Sequence, residues 1–486
     1  MRTWDVERVA AAAGASIVGP RASLPSRPTG AEAGGELDAG AGPGASRAVI
    51  DSRVVGAEDL FVGLRGQSVD GGEHAVEALH AGAWGVLVTP EHAAAALAAA
   101  KQVPSAGAIL AHEDPLAGLQ ALAGAWRREL GTSGAKVVGI TGSTGKTSTK
   151  DILAALLGSE RRTVSSPENY NTEIGLPLAL LAAPPDTEVL VLEMAMRGAG
   201  QIAELTAIAE PDVGVIVNVG PVHLELLGSL EAIAAAKAEL IAGLAAGTTI
   251  VVPVEDPLLA PHLRADLKTI TFGERADVVL EQVLSDGRVL IRAHGREFEL
   301  QPSFGQAHNL RNLLAAVAAS LALGVDPHGP LHVRFSALRG ERLDLPDGVV
   351  LINDCYNANP MSMRAAIDDL SETAPARRVA VLGDMLELGP EAPRLHREIG
   401  LYAADRGVDV LLSVGSLAAE MRVEFEGESY AVAGAQEAAE RLAPLLREGD
   451  TVLVKGSRGV GLERVAELLA ERRDESPEEP RERPVS

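Results

Sequence analysis

One cysteine, Cys355, stands in a chain of 486 residues, so neither a disulfide framework nor a cysteine-rich zinc site can be built from it. Aromatic residues make up 3% of the chain, which leaves the cores to Ala, Val, Leu and Ile. Positive charge is in the minority. Against 67 Asp and Glu there are 43 Lys and Arg, giving a formal charge of −24. That balance excludes a broad basic surface for nucleic acid and leaves room only for a local basic pocket. Pro, Gly or charged residues interrupt every apolar run before transmembrane length, so no membrane insertion is expected. The opening MRTWDVERVAAAAG lacks the apolar core of a signal peptide, and a cytoplasmic location is the expectation. What is present is a hydrophobic fraction of 47%, too high for a disordered chain. At roughly 150 residues per domain, the length suggests two to four domains.

Three stretches read differently. Residues 1–112 open with an Ala-rich helix, followed over 20–47 by a Gly-, Ala- and Pro-rich segment that reads as a flexible loop. After it, SRAVIDSRVV, DLFVGLRG, a helical pattern over His74–Ala83 and WGVLVT make a small α/β unit. Residues 113–328 alternate near-continuous Val/Ile/Leu strands with helices: KVVGIT at 136–141, EVLVL at 188–192, VGVIVNV at 213–219 and a strand around 250–252. That pattern predicts a parallel sheet covered on both faces. Residues 329–486 repeat it with VVLIND, RVAVLGD, VDVLLSVG and DTVLVKGS. From Glu471 the chain turns charged and Pro-rich and reads as a disordered tail.

The strand KVVGIT runs into Gly142-Ser143-Thr144-Gly145-Lys146-Thr147-Ser148 and then into a helical pattern. Glycines let the backbone turn so that several N–H groups face one anion, and the helix N-terminus adds partial positive charge. Lys146 adds a full charge for β/γ-phosphates, and Thr147 a hydroxyl for Mg²⁺. The longer pattern GxxxxGK[ST] is not met, because Ile140 stands where its first Gly would be. The fold class that follows is α/β in three domains: a small N-terminal α/β domain, a central P-loop-type parallel-sheet ATPase domain and a C-terminal Rossmann-like domain.

The shorter TGSTGKT loop resembles that of the Mur ligases and the folylpolyglutamate synthases. The likeness continues through ENYNTEIGLP (168–177), Glu193-Met194, VNVGPVHLE (217–225), QAHNLRN (306–312), DCYNANP (354–360), LGDMLELG (382–389) and KGSR (455–458). The DCYNANP and LGDMLELG strings are most similar to the Mur ligases that add a D-alanyl-D-alanine dipeptide. The DNPR string expected of the diamino-acid-adding type is absent.

The resemblance implies ATP-driven amide formation. A carboxylate is phosphorylated to an acyl phosphate, which an amine then attacks, so two anions must be gathered and their repulsion neutralised. It implies ATP and Mg²⁺ as cofactors and two small-molecule substrates, UDP-MurNAc-tripeptide and D-Ala-D-Ala, with a monomeric enzyme expected. Lys146, Lys237 and His223 would carry the chemistry. Thr147, Glu193, His223 and Lys237 would hold metal, Lys237 after conversion to a carbamate. Gly142 to Ser148, Asn309, Asn312, Arg342, Asp354 and Tyr356 would bind the nucleotide. Substrate contacts are expected from Ser52 and Arg53 at the UDP end, and from Asn171, Thr172, Asn357, Asn359, Lys455, Ser457 and Arg458. Where the family carries Asp-Gly-His and an aromatic, this chain has Asp70-Gly71-Gly72 with His74 displaced.

Taken alone, several of these residues admit other readings. Glu193 could be a solvated strand end, Lys237 an exposed helix lysine, His223 a loop histidine and Asn309 a helix cap. Three other functions also stand at this point: a glutamate-adding ligase of the same superfamily, a P-loop NTPase switch or motor, and an inactive scaffold.

Overall fold

The computed structural model describes residues 1, 3–19, 44–100 and 107–475. Three sheets organise them. The first has five strands. Arg47–Val49, Asp59–Val62, Gly85–Val88 and Ala108–Ala111 run parallel, and Ser16–Ile17 closes the edge antiparallel. The flexible segment expected at 20–47 lies outside the described residues up to 43, and Arg47 already belongs to a strand.

The central sheet has ten strands, and Lys136–Thr141 sits between Val189–Glu193 and Val213–Ile216. Its parallel part extends through Thr163–Ser165 on one side and through Thr249–Pro253 and Lys268–Phe272 on the other. Beyond Lys268–Phe272 the expected all-parallel sheet gives way to an antiparallel meander of Val278–Val283, Val289–Ala293 and Arg296–Pro302. These strands alternate buried and exposed residues, as in Arg296–Pro302, so one face meets solvent. Their mixed pattern contrasts with the fully buried Val189–Glu193.

Two helices, Lys146–Gly158 and Ala307–Ala322, cover one face of the parallel part. On the other face lie Pro115–Thr132, Gly175–Ala182, Gln201–Ala209 and Leu230–Gly243. Their core is continuous with that of the first sheet. All three tryptophans are in it, and Trp4 meets Trp126 edge to face at 5.4 Å. The scarce aromatics therefore join the first and central units, where one large side chain can fill space between several elements.

The third sheet, of six strands, has two cores of its own. Val350–Asn353, Thr451–Lys455, Arg378–Gly383, Val410–Val414 and Glu428–Val432 are parallel, and Glu341–Asp344 is the antiparallel edge. The tail expected from Glu471 is not found over 471–475, which belong to the final helix, Glu463–Glu475; the rest of it, 476–486, lies outside the described residues. Charge and proline content mark a tail well, but Glu471-Arg472-Arg473-Asp474-Glu475 holds no proline and can extend a helix.

Candidate active site at the domain seam

The strand Lys136–Thr141 ends beside both neighbours of the central sheet, the place where open α/β sheets put ligands. The Gly142–Ser148 loop leaves it there. Gly142 has φ 157° and a Cβ on it would stand 3.0 Å from that of Val217. Gly145 has φ 76° and a Cβ there would meet Asn312 Oδ1 at 2.5 Å, so neither position accepts a side chain. Gly145 precedes the helix without a side-chain cap, which leaves the N–H groups of its first turn for an anion. The loop is held from behind by Asn218, a residue sequence reasoning passed over inside VNVG. Its Oδ1 accepts from the Ser143 and Thr144 N–H groups at 3.1 and 2.9 Å, and its Nδ2 donates to Thr144 Oγ1 at 3.0 Å. Ser143 Oγ donates to Gly220 O at 3.0 Å.

Lys146 donates to Gly142 O at 2.9 Å, folded back across its own loop. Burial pushes its ammonium pKa down, partly offset by Glu193. Glu193 is buried at its strand end and accepts from Thr147 Oγ1 at 2.6 Å and from Asn171 Nδ2 at 3.0 Å. The solvated strand-end reading of Glu193 is thereby excluded. Lys237 is likewise not an exposed helix lysine. It is 2% exposed, lines the same cleft, and burial holds its ammonium well below the usual range, with Lys146 adding to the effect. Thr172 lines the cleft next to Asn171.

The cleft, ≈ 1190 Å³, is closed on its far side by the third unit. Asn309 and Asn312 reach it from the helix Ala307–Ala322, both buried, with Asn312 Nδ2 donating to Asn309 Oδ1 at 3.4 Å. The cap of that helix is Gln306, so Asn309 does not serve there. Tyr356 donates its hydroxyl to Asn169 of the central unit, and Arg339 stacks 3.9 Å over the Tyr356 ring. Arg339, read from the sequence only as part of the linker Leu338-Arg339-Gly340 and not as a site residue, lies close enough to Lys146 to lower its pKa. Arg342 lines the cleft but turns its guanidinium to Asp369, at 3.1 Å, and to Thr373 Oγ1, at 2.8 Å. Asp354 accepts from the nearly buried Lys455 at 2.7 Å, and Lys455 also donates to Asn357 O at 2.9 Å. Lys455 thus braces the DCYNANP loop from below.

Asn359 caps the helix Pro360–Thr373 in a reciprocal box with Ser362, a contact of about 1 kcal/mol. Ser457 accepts from Leu386 N at 3.0 Å and is buried behind the cleft wall; Arg458 is exposed and faces Glu463. Neither lines the cleft. Ser52 and Arg53 stand apart on the first unit, Ser52 donating to Glu77 and Arg53 paired with Asp51. His223, in a left-handed conformation of φ 55°, hydrogen-bonds through Nδ1 to Glu387 of the third unit. Burial lowers its pKa and Glu387 works against that.

Residues 140–320 match the Mur ligase middle domain, and residues 338–458 the Mur ligase glutamate ligase domain. The UDP-N-acetylmuramoyl-tripeptide–D-alanyl-D-alanine ligase of Bacillus subtilis is 34% identical over 440 residues, 87% of this chain and 92% of its own. The chain belongs to the Mur ligase family. Its Escherichia coli relative of the same name is 32% identical, over 87% of this chain and 93% of that one. The solved MurF ligase of Thermotoga maritima, in complex with ADP, matches with TM-score 0.75 and 31% identity, covering 88% of this chain and 98% of that chain. This Mur ligase therefore has the three-domain fold of its relatives and is an ATP-dependent ligase.

Proposed function

We propose that this Mur ligase joins D-alanyl-D-alanine to UDP-N-acetylmuramoyl-tripeptide through an acyl phosphate, in the cytoplasm, as a step of peptidoglycan precursor synthesis. The observation that carries the reading is the cleft. It sets an uncapped helix N-terminus, Lys146 and the Thr147–Glu193 pair opposite the DCYNANP loop of a second domain. Such an arrangement can hold ATP on one wall and present a second substrate from the other.

The donor set fits Mg²⁺. Among the described residues no three His, Cys, Asp or Glu side chains cluster as a cage. Mg²⁺ suits such a sparse site, because it keeps several waters and takes phosphate oxygens with one or two protein ligands. Thr147 and Glu193 would hold one ion, His223 and Lys237 a second. When bound, the metal neutralises phosphate charge. Lys237 has no acid partner among the described contacts, and a neutral amine is the form that adds CO₂. A carbamate on it would put an anion in place of the buried amine, facing Lys146.

The protein's own groups do the rest. The loop N–H groups and Lys146 orient the phosphates, and Asn309 and Asn312 offer amide edges beside the loop. Asp354 and Arg342 complete the nucleotide wall, and Asn171, Thr172 and Asn357 the substrate side. Asn359, Lys455 and Ser457 act there as supports, while Arg458, exposed and facing Glu463, is given no contact, and Ser52 and Arg53 serve the distant uridine end. Incubation with ATP, Mg²⁺, UDP-MurNAc-tripeptide and a mixture of D-Ala-D-Ala, D-glutamate and L-lysine should give the pentapeptide product by mass spectrometry. A glutamyl product instead would move the chain to a different ligase of the family.

A further inference from the structure

The loop Asp384–Gly389 is built to place one side chain. Met385 N donates to Nε2 of the fully buried His396 at 2.9 Å, and His396 Nδ1 donates to Ala392 O at 2.6 Å. Leu386 N donates to Ser457 Oγ at 3.0 Å, and Asp384 Oδ1 accepts from Ala418 N at 2.6 Å. Glu387 at the tip is left-handed, φ 63°. Its carboxylate meets His223 Nδ1 and its carbonyl accepts from Glu225 N at 3.2 Å, both across the seam.

The strain has a pattern. Among the described residues eight non-glycines have positive φ, and Asn169, His223, Leu338 and Glu387 are four of them. Asn169 receives the Tyr356 hydroxyl, Leu338 lies in the linker and accepts from Tyr356 N, and His223 and Glu387 bond each other. Left-handed backbone in a non-glycine is unfavourable and persists where surrounding contacts over-determine it. Here it is concentrated where two domains meet.

We propose that Glu387 is a positioning residue, contributed by the third domain, that fixes the tautomer and orientation of His223 so that its Nε2 is the nitrogen turned to the reaction site. A carboxylate accepting from Nδ1–H leaves Nε2 as the lone-pair donor, the device by which outer-shell groups tune histidine ligands. Because the carboxylate and the imidazole belong to different domains, His223 is set only when the third domain is seated, which makes domain position a condition for a complete site. The metal part of this inference rests on the assignment of His223 under Proposed function; the tautomer part does not.

Two measurements test it on the full chain. The first is ¹⁵N NMR of the metal-free protein labelled at histidine and saturated with a non-hydrolysable ATP analogue and both substrates, so that the third domain is seated, with the His223 signals assigned by their loss in His223→Asn. The wild type should show Nδ1 protonated and Nε2 free. Glu387→Gly, which removes the carboxylate and relieves the positive φ, should give a tautomer mixture. An unchanged His223 spectrum in Glu387→Gly would overturn the proposal. The second is Mn²⁺ affinity by EPR with a non-hydrolysable ATP analogue. Glu387→Gly should weaken it about 10- to 100-fold, and Glu387→Gln, which keeps an acceptor oxygen, by less. In a His223→Ala background Glu387→Gly should have no further effect; an equal loss there would show that Glu387 does not act through His223. If His223→Ala leaves Mn²⁺ binding intact, the metal role of both residues is overturned while the tautomer result stands.

Discussion

At the residue scale the cleft is marked by buried charge. Lys146 and Lys237 line one cleft with Glu193 as the nearby acid, and burial pushes both ammonium groups down. Holding such groups out of water is unfavourable unless a ligand or a modification compensates. Lys146→Ala should therefore keep the fold and lower turnover by about 10²–10³ or more, as removal of a preorganised charge does. A steady-state assay alongside a thermal melt checks it, and near-wild-type kcat would remove the phosphate-loop assignment. Lys237→Ala should lose activity and regain part of it with added short carboxylates, which can occupy the carbamate's place. Full activity without them would make Lys237 a structural residue. Both lysines were legible in the sequence, one from its loop and the other from the family resemblance. Glu387, Arg339 and Asn218 were not, because each acts on a group far along the chain, and no local pattern announces a partner 164 residues away, the separation of His223 from Glu387.

At the scale of elements, the strands flanking the loop were readable as buried Val/Ile/Leu runs, and the start of the helix at Lys146 followed from its glycines. The antiparallel meander of 278–302 was not read, since its strands carry charge on one face and imitate loop composition. The helix Pro115–Thr132 shows what periodicity leaves out. It begins with an Asp114 cap and Pro115 in its first turn, as local rules expect, yet it serves two units at once. Trp126 on it is 1% exposed, meets Trp4 edge to face and donates to Ala183 O at 3.1 Å. Trp126→Ala should cost about 3–5 kcal/mol. Calorimetry should show the transition that carries the first and central units moving down together, with the third unit's transition in place. Movement of the first unit's transition alone would contradict a shared core.

At the scale of the molecule, the first two units share a core while the third is attached through a strained seam and a linker. The linker is anchored as far as Ser336 and Ala337, whose N–H groups donate to Asp151 and Glu168 at 2.9 and 2.8 Å. Leu338 and Gly340, both at positive φ, follow at once and make the natural pivot. A nucleotide held by the loop and touched, as proposed, by Asp354 and Arg342 would favour the seated arrangement through contacts made only there. Small-angle scattering should give a smaller radius with ATP analogue, Mg²⁺ and both substrates than without; an equal radius at saturation would count against the bridging roles of Asp354 and Arg342. The cleft is proposed to couple ATP cleavage to joining two particular substrates. Phosphate release, followed by a coupled assay with ATP and Mg²⁺, tests it most directly. Sustained release is expected only when UDP-MurNAc-tripeptide and D-Ala-D-Ala are both present, and little with either alone. Equal release without the dipeptide, or none with both substrates, would contradict it.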